Sequence, residues 1–285
     1  MKYGIRGGKN MSHKYSLAHL TVLGWSPVEM AYNASLIGYD YISIRNINMG
    51  VEGERDFSIP AGSWRYNALK EALEDTGIGI HDIELARIAE GVDVKSYEPA
   101  LESGASLGAK GVISSVWTDD KDFYTDQFAS LCDLAAKFGL TVNLEFVTWA
   151  SVWDLKGALD LICAVNRPNA RLMVDTLHAW RSRVSAEDLA ACPKELFDMA
   201  HICDGPTEIP DRTDKEALIY TGRDARLYVG EGAINIADMV RAMRPDTVLS
   251  IELPHLARAE KYGCMEHARR CLVTAKEYLK KNGVE

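Results

Sequence analysis

One pattern constrains this chain more than any other: a short apolar, β-branched run, then a turn, then a stretch with helical spacing. It recurs eight times in 285 residues. The runs lie at 15–22 (YSLAHLTV), 41–45 (YISIR), 80–88, 111–116 (GVISSV), 141–146 (TVNLEF), 171–175 (RLMVD), 200–203 (AHIC) and 247–253 (TVLSIEL). They read as continuous apolar segments rather than as clean alternation, as parallel strands do when helices cover the sheet. Between them, Ser26-Pro27 opens a helix with a cap and a first-turn proline. Further helices are predicted over 63–76, 97–107, 121–138 (closed by Gly139), 154–165, 186–191 (capped by Ser185), 236–243 and 264–279. In the last of these, Met265, Ala268, Leu272, Ala275 and Leu279 fall on one stripe.

Eight βα units in this length predict a single-domain α/β fold, a (β/α)8 TIM barrel over 15–285, preceded by an N-terminal extension, 1–14. A doubly wound open sheet is the alternative. It calls for a glycine-rich phosphate loop after the first strand, and the chain there reads Leu23-Gly24-Trp25-Ser26, with no GxGxxG. Gly50, Gly53 and Gly62, after the second run, read as turn glycines.

Composition narrows the function classes. The 41 acidic and 32 basic residues leave a net charge of −9, which argues against a nucleic-acid footprint of clustered Lys and Arg. No stretch approaches the ~20 apolar residues of a membrane helix. The first 14 residues carry Lys and Arg but no apolar run of a signal peptide, and they read as a native extension or a leader before Met11. Cys132, Cys163, Cys192, Cys203, Cys264 and Cys271 form no CxxC pair and read as small thiols in a reducing, cytoplasmic setting.

In a barrel, the chemistry sits at the C-terminal ends of the strands. The polar residues there are Glu145 (strand five), Asp175 (six), His201 with Asp204 (seven) and Glu252 (eight). His178 lies one helical turn past Asp175, Glu84 sits inside strand three, and Arg45 ends strand two. Carboxylates crowded into a barrel mouth are costly unless a cation lies between them. Glu145, Asp175, His201 and Glu252 together form an oxygen-rich divalent-metal set, and three carboxylates against one divalent ion leave a single negative charge. Such a set favours Mn, Mg or Co over Zn. His13 and His19 read as structural, His81 as a loop residue, and His255 and His267 as solvated or capping.

With NLEF, LMVDTLH, AHICD, VGEG and SIELP on strands five to eight, the chain resembles the xylose-isomerase-like TIM-barrel superfamily of sugar (phosphate) isomerases and epimerases. The resemblance implies ligand roles for Glu145, Asp175, His201 and Glu252, with Glu145 and Glu252 also the acid/base pair. It implies substrate contacts from His178 and from an arginine after strand seven. Arg212, Arg223 and Arg226 are the candidates for that arginine, and Arg226, just before the VGEG turn, is favoured. Asp204, Glu84 and Trp149 complete the expected substrate contacts, and Trp149 with Trp153 offers an apolar wall. The segment 204–231 is long for a βα connection and reads as a lid.

The implied activity is divalent-metal-dependent isomerisation or epimerisation of a keto-sugar or polyol through a cis-enediolate. A dehydratase acting on a cyclic polyol or keto-acid is the alternative, and a non-catalytic sugar-binding barrel a more distant one. An abasic-site endonuclease is disfavoured by the few histidines and the acidic charge, and a Schiff-base barrel by the lack of a Lys at a strand end. A flavin or phosphate barrel calls for glycine-rich loops after strands seven and eight, for which Gly230 and Gly232 are weak signals. The expected partner is a small molecule (sugar, polyol or keto-acid, phosphorylated or not), with no nucleic acid and no membrane. Related barrels often pair, so a homo-oligomer is expected.

Overall fold

The computed structural model describes residues 13–49 and 55–285. Most of the expected extension, with Met11, and the turn glycines Gly50 and Gly53 lie outside the described residues. Eight parallel strands close on themselves in chain order: β1 (Tyr15–Ala18), β2 (Tyr41–Ile44), β3 (Gly79–Ile88), β4 (Gly111–Val116), β5 (Thr141–Glu145), β6 (Ala170–Asp175), β7 (Met199–Ile202) and β8 (Val248–Ile251), with β8 pairing back onto β1. This is the (β/α)8 barrel that the alternation predicts. Among the described residues, no helix is long and apolar enough to cross a membrane.

Two cores hold the barrel. The larger lies between strands and helices and includes Leu17, Ile42, Ile83, Val112, Phe128, Leu172 and Leu272. A smaller cluster, Ile113, Met173, Met199 and Val248, joins β4, β6, β7 and β8, which are not all neighbours, so it fills the barrel interior. Helix starts follow local chemistry. Ser26 and Glu29 form a reciprocal capping box with Pro27 at the first turn, and Ser63, Asp120, Asp154 and Ser185 each cap the helix that follows. Gly38 and Gly77 end the first two long helices in the left-handed region, at φ 102° and 69°.

Several elements differ from the sequence reading. The first strand stops at Ala18 and becomes a 3-10 turn, His19–Val22. Side-chain bonds displace the ladder there: the His19 N–H donates to Glu84 (3.2 Å), its Nε2 meets the Trp25 carbonyl (3.0 Å), and its Nδ1 accepts from the Arg45 N–H (3.1 Å). His81 lies within β3, not in a loop, beside Asp82 (3.1 Å), which also accepts from Ser43 (2.6 Å). His267 is fully buried rather than solvated. It meets the Tyr228 hydroxyl (2.9 Å) and the Leu253 carbonyl (3.0 Å), tying the last helix to the end of β8.

The segment 204–231 is built rather than loose. It carries a helix, Lys215–Asp224, that the sequence reading passed over as polar chain. Its two ends bridge through Asp204 and Leu227. The Asp204 carboxylate accepts the N–H groups of Gly205 (2.9 Å), Gly230 (2.9 Å), Gly232 (2.9 Å) and Ile234 (3.1 Å). Gly232 is required, since a Cβ there would lie 2.1 Å from the Gly205 carbonyl oxygen and 2.4 Å from Asp204 Oδ1.

Two predictions follow from this packing. Asp204→Ala strands four main-chain donors and is expected to lower stability by roughly 2–4 kcal/mol, read as a reduced denaturation midpoint; an unchanged midpoint would show that the anchor is dispensable. The second concerns His19, which burial holds neutral, lowering its pKa to about 3 from an ordinary 6.5. The folded state therefore binds fewer protons than the unfolded chain between those values. The stability this contributes is intact above pH 6.5 and is lost as pH falls toward 3. In His19→Gln, the decline of unfolding free energy across that window is expected to be shallower than in the parent; an equal slope would contradict this.

Candidate metal centre

Each member of the expected ligand set arrives on its own strand. Glu145 is the last residue of β5 and Asp175 the last of β6; His201 lies in β7, directly in register with Asp175; Glu252 follows β8 by one residue. All four are buried, and one ligand atom from each falls within 4.8 Å of every other. Around a divalent ion with bonds near 2.1 Å, opposed ligands lie about 4.2 Å apart, so a contraction of a few tenths of an ångström would close the set.

His201 tests whether the cluster fits a cation. Its ring is buried, yet neither nitrogen has a hydrogen-bond partner among the described residues. Nδ1 lies 3.4 Å from Glu252 Oε2 and 3.9 Å from both Glu145 Oε1 and Asp175 Oδ2, beyond good hydrogen-bond geometry for each. Burial alone would lower its pKa, but Glu252, Glu145 and Asp175 overcome this and raise it to about 10. The three carboxylates thus demand positive charge at the imidazole, which a proton or a metal ion can supply, and the donor set fits a divalent cation.

Arg226 supplies a second positive charge. Its guanidinium is buried and reaches Asp175 Oδ2 (2.5 Å), Glu252 Oε2 (2.7 Å) and the Glu252 carbonyl (3.0 Å), while its Nε donates to the Gly222 carbonyl (2.8 Å). The single negative charge expected from the ligand set alone is therefore cancelled by a residue bonded to two of the ligands. The favoured substrate contact is also a structural tie within the cluster. Asp175 is fixed on its other side by the N–H groups of Leu177 (2.7 Å) and His178 (3.4 Å), whose helix it caps.

The two glutamates sit in unlike surroundings. Burial and the charge of Glu252 raise the Glu145 carboxyl well above its usual range. Burial acts the same way on Glu252, but His201 and Arg226 outweigh it and hold that carboxyl below its usual range.

The remaining expected residues spread outward from this core. His178 lines the small cavity beside Glu145, Glu252 and Arg226, which measures about 60 Å³. Burial lowers its pKa to about 4. The Thr148 N–H can only donate to its Nδ1 (3.4 Å), which places the ring proton on Nε2. Trp149 packs edge-on against it, ring centres 4.9 Å apart. With Trp117, Trp149 also lines an outer cleft of about 790 Å³. Trp153 lies under Arg212 (4.5 Å) rather than beside His178. Glu84 accepts from Arg45 Nε (3.0 Å) and from the His19 N–H; burial, partly offset by Arg45, raises it to about 7. Asp204 is absent from the cavity wall, its carboxylate occupied by main chain.

The sequence reading missed Trp117 and Thr148. Trp117 follows β4 directly and Thr148 lies three residues past β5, but a filter restricted to charged and imidazole side chains passes over them. Gly222 was also missed; a Cβ there would lie 2.5 Å from the Trp149 ring, so this glycine lets the helix Lys215–Asp224 settle onto the cavity wall.

Known proteins similar to this chain share its fold. An inosose isomerase from Bacillus velezensis is 24% identical over 255 residues, covering 84% of this chain and 86% of that protein. The structure of an IolI protein with a bound zinc atom superposes with a TM-score of 0.77 at 21% identity, covering 94% of this chain and 98% of the other. A D-allulose 3-epimerase from Methylomonas sp. in complex with D-allulose gives 0.65 at 17% identity, covering 93% and 96%. The family model described as xylose isomerase-like TIM barrel matches residues 31–272, and the chain belongs to that family.

Proposed function

We propose that this protein is a divalent-metal-dependent isomerase or epimerase of a keto-sugar or inosose-like polyol, working through a cis-enediolate. The observation that carries the proposal is the buried, unpartnered His201 imidazole ringed by Glu145, Asp175 and Glu252. The inosose isomerase and allulose epimerase relatives support a sugar or polyol substrate.

In this reading, Glu145, Asp175, His201 and Glu252 hold the ion. Bound there, a divalent metal supplies Lewis-acid polarisation of an α-hydroxy-carbonyl and stabilises negative charge on its two oxygens. The reacting groups are the chain's own. One of Glu145 and Glu252 removes the proton from the carbon next to the carbonyl, and the other returns a proton, to the opposite face for epimerisation or to the neighbouring carbon for isomerisation. An acid and a base of the same residue type must differ in proton affinity. Neutral His178 offers its Nε2 proton to a substrate oxygen. Trp117 and Trp149, at the boundary between inner cavity and outer cleft, limit water at the reacting carbon. Zinc in the IolI structure adds that metal to Mn, Mg and Co as a candidate.

Glu252→Gln is expected to cut turnover by about 10²–10⁴-fold with the circular-dichroism spectrum unchanged; full activity in that variant would contradict the acid/base role. Chelator treatment is expected to abolish exchange of the substrate's carbon-bound proton with deuterated solvent and to lower the melting temperature. Readdition of one of Mn, Mg, Co or Zn is expected to restore both, and undiminished exchange in metal-free protein would contradict the proposal. Deuterium entering a product of unchanged mass formula marks isomerisation; loss of water marks a dehydratase.

A further inference from the structure

We propose that the substrate carries an anionic group, a carboxylate or a phosphate ester, seated at the cavity mouth by Arg223 with help from Arg45. This deepens the reading above and rests on it for the identity of the reacting centre. Three arginines, Arg45, Arg223 and Arg226, line the inner cavity together with Glu145 and Glu252. Their charges are answered unequally. Arg226 is consumed by Asp175 and Glu252. Arg45 gives its Nε to Glu84, and no partner of its two terminal nitrogens is found among the described residues. Arg223 makes no hydrogen bond or ion pair among the described residues at all, although its neighbour Asp224 is at hand.

Arg87 adds to the imbalance. Its Nη2 donates to the Met49 carbonyl (2.7 Å), Met49 itself lines the cavity, and no carboxylate pairs with this arginine. Arg223 is exposed at the rim, yet lies close enough to Arg45 and Arg87 for both to disfavour its charge. With the ligand set neutralised by the ion and Arg226, and Arg45 by Glu84, Arg223 and Arg87 are left with no carboxylate bonded to them among the described residues, although Asp224 and Glu252 lie near enough to Arg223 to favour its charge. That is notable in a chain of net charge −9. Guanidinium groups without a carboxylate partner at a cavity mouth favour an anion that can take two parallel N–H bonds, as carboxylate and phosphate do.

Arg223 is exposed, and it is the backbone before it that places it at the cavity mouth. It follows Gly222, which is pressed against Trp149 and whose carbonyl receives Arg226 Nε. The turn that ties the helix Lys215–Asp224 to the metal centre therefore also delivers Arg223 to the cavity.

The test is equilibrium binding of inorganic phosphate and of acetate to the metal-loaded protein at low salt, followed by tryptophan fluorescence, since Trp117 and Trp149 adjoin the site. Saturable binding of at least one anion is expected, weakened at least tenfold in Arg223→Gln and partly restored in Arg223→Lys. Tighter phosphate points to a phosphorylated substrate, and tighter acetate to a carboxylate. No binding of either anion overturns the proposal, as does equal affinity in Arg223→Gln, which would place the anion on the metal. Because binding is read without turnover, the two readings fail separately. Loss of solvent exchange with anion binding intact sinks the isomerase reading alone, and exchange on neutral ketoses without an anion site sinks this one alone.

Discussion

Three buried carboxylates cannot share a few ångströms of protein interior without positive charge among them, and the mouth of this barrel is organised around that constraint. Each unscreened carboxylate costs several kcal/mol in such a place. Two positive groups answer: Arg226, bonded to Asp175 and Glu252, and His201, whose Nδ1 lies 3.4–3.9 Å from all three carboxylates. Arg226 holds two of the oxygens in place from outside, so the space beside the imidazole is shaped before any ion enters. A preorganised set of this kind avoids the cost of gathering like charges at the moment of binding.

The segment after β7 makes this arrangement possible. Its base is locked by one carboxylate, Asp204, holding four main-chain N–H groups. Its middle is a helix that a glycine lets settle on Trp149, and its return carries Arg226 inward. One segment thus shapes the cavity wall, sets a positive charge against the buried carboxylates and presents Arg223. In the proposed reading the barrel supplies the reacting carboxylates and this segment the groups that choose the substrate, a division common to folds whose loops vary over a fixed scaffold.

The barrel was legible because its signal is periodic and repeated: eight apolar runs at strand length, with Ser26, Ser63 and Ser185 marking helix starts. The four clustered residues were legible for a related reason. Parallel strands of one barrel end at a common height, so a polar residue closing several successive strands has only one place to go. Tertiary bonds were not legible. Nothing local distinguishes Arg226, buried between two carboxylates, from Arg212, stacked on an indole. Asp204 sits beside a strand-end histidine and reads as a site residue, yet its acceptors are spent on glycine amides 26 and 28 residues downstream. His267 falls next to the apolar stripe of the last helix, but its burial depends on Tyr228 from another segment. The turn at His19 likewise depends on Glu84 and Arg45, on different strands.

The central claim, that one divalent ion is shared by four consecutive strands, is tested most directly by an anomalous-difference map from crystals grown with Mn or Zn. The account predicts a single strong peak bonded to one His201 nitrogen and to oxygens of Glu145, Asp175 and Glu252, at roughly 2.0–2.3 Å. A map with no peak there, or an ion held elsewhere with His201 unbound to it, would contradict it.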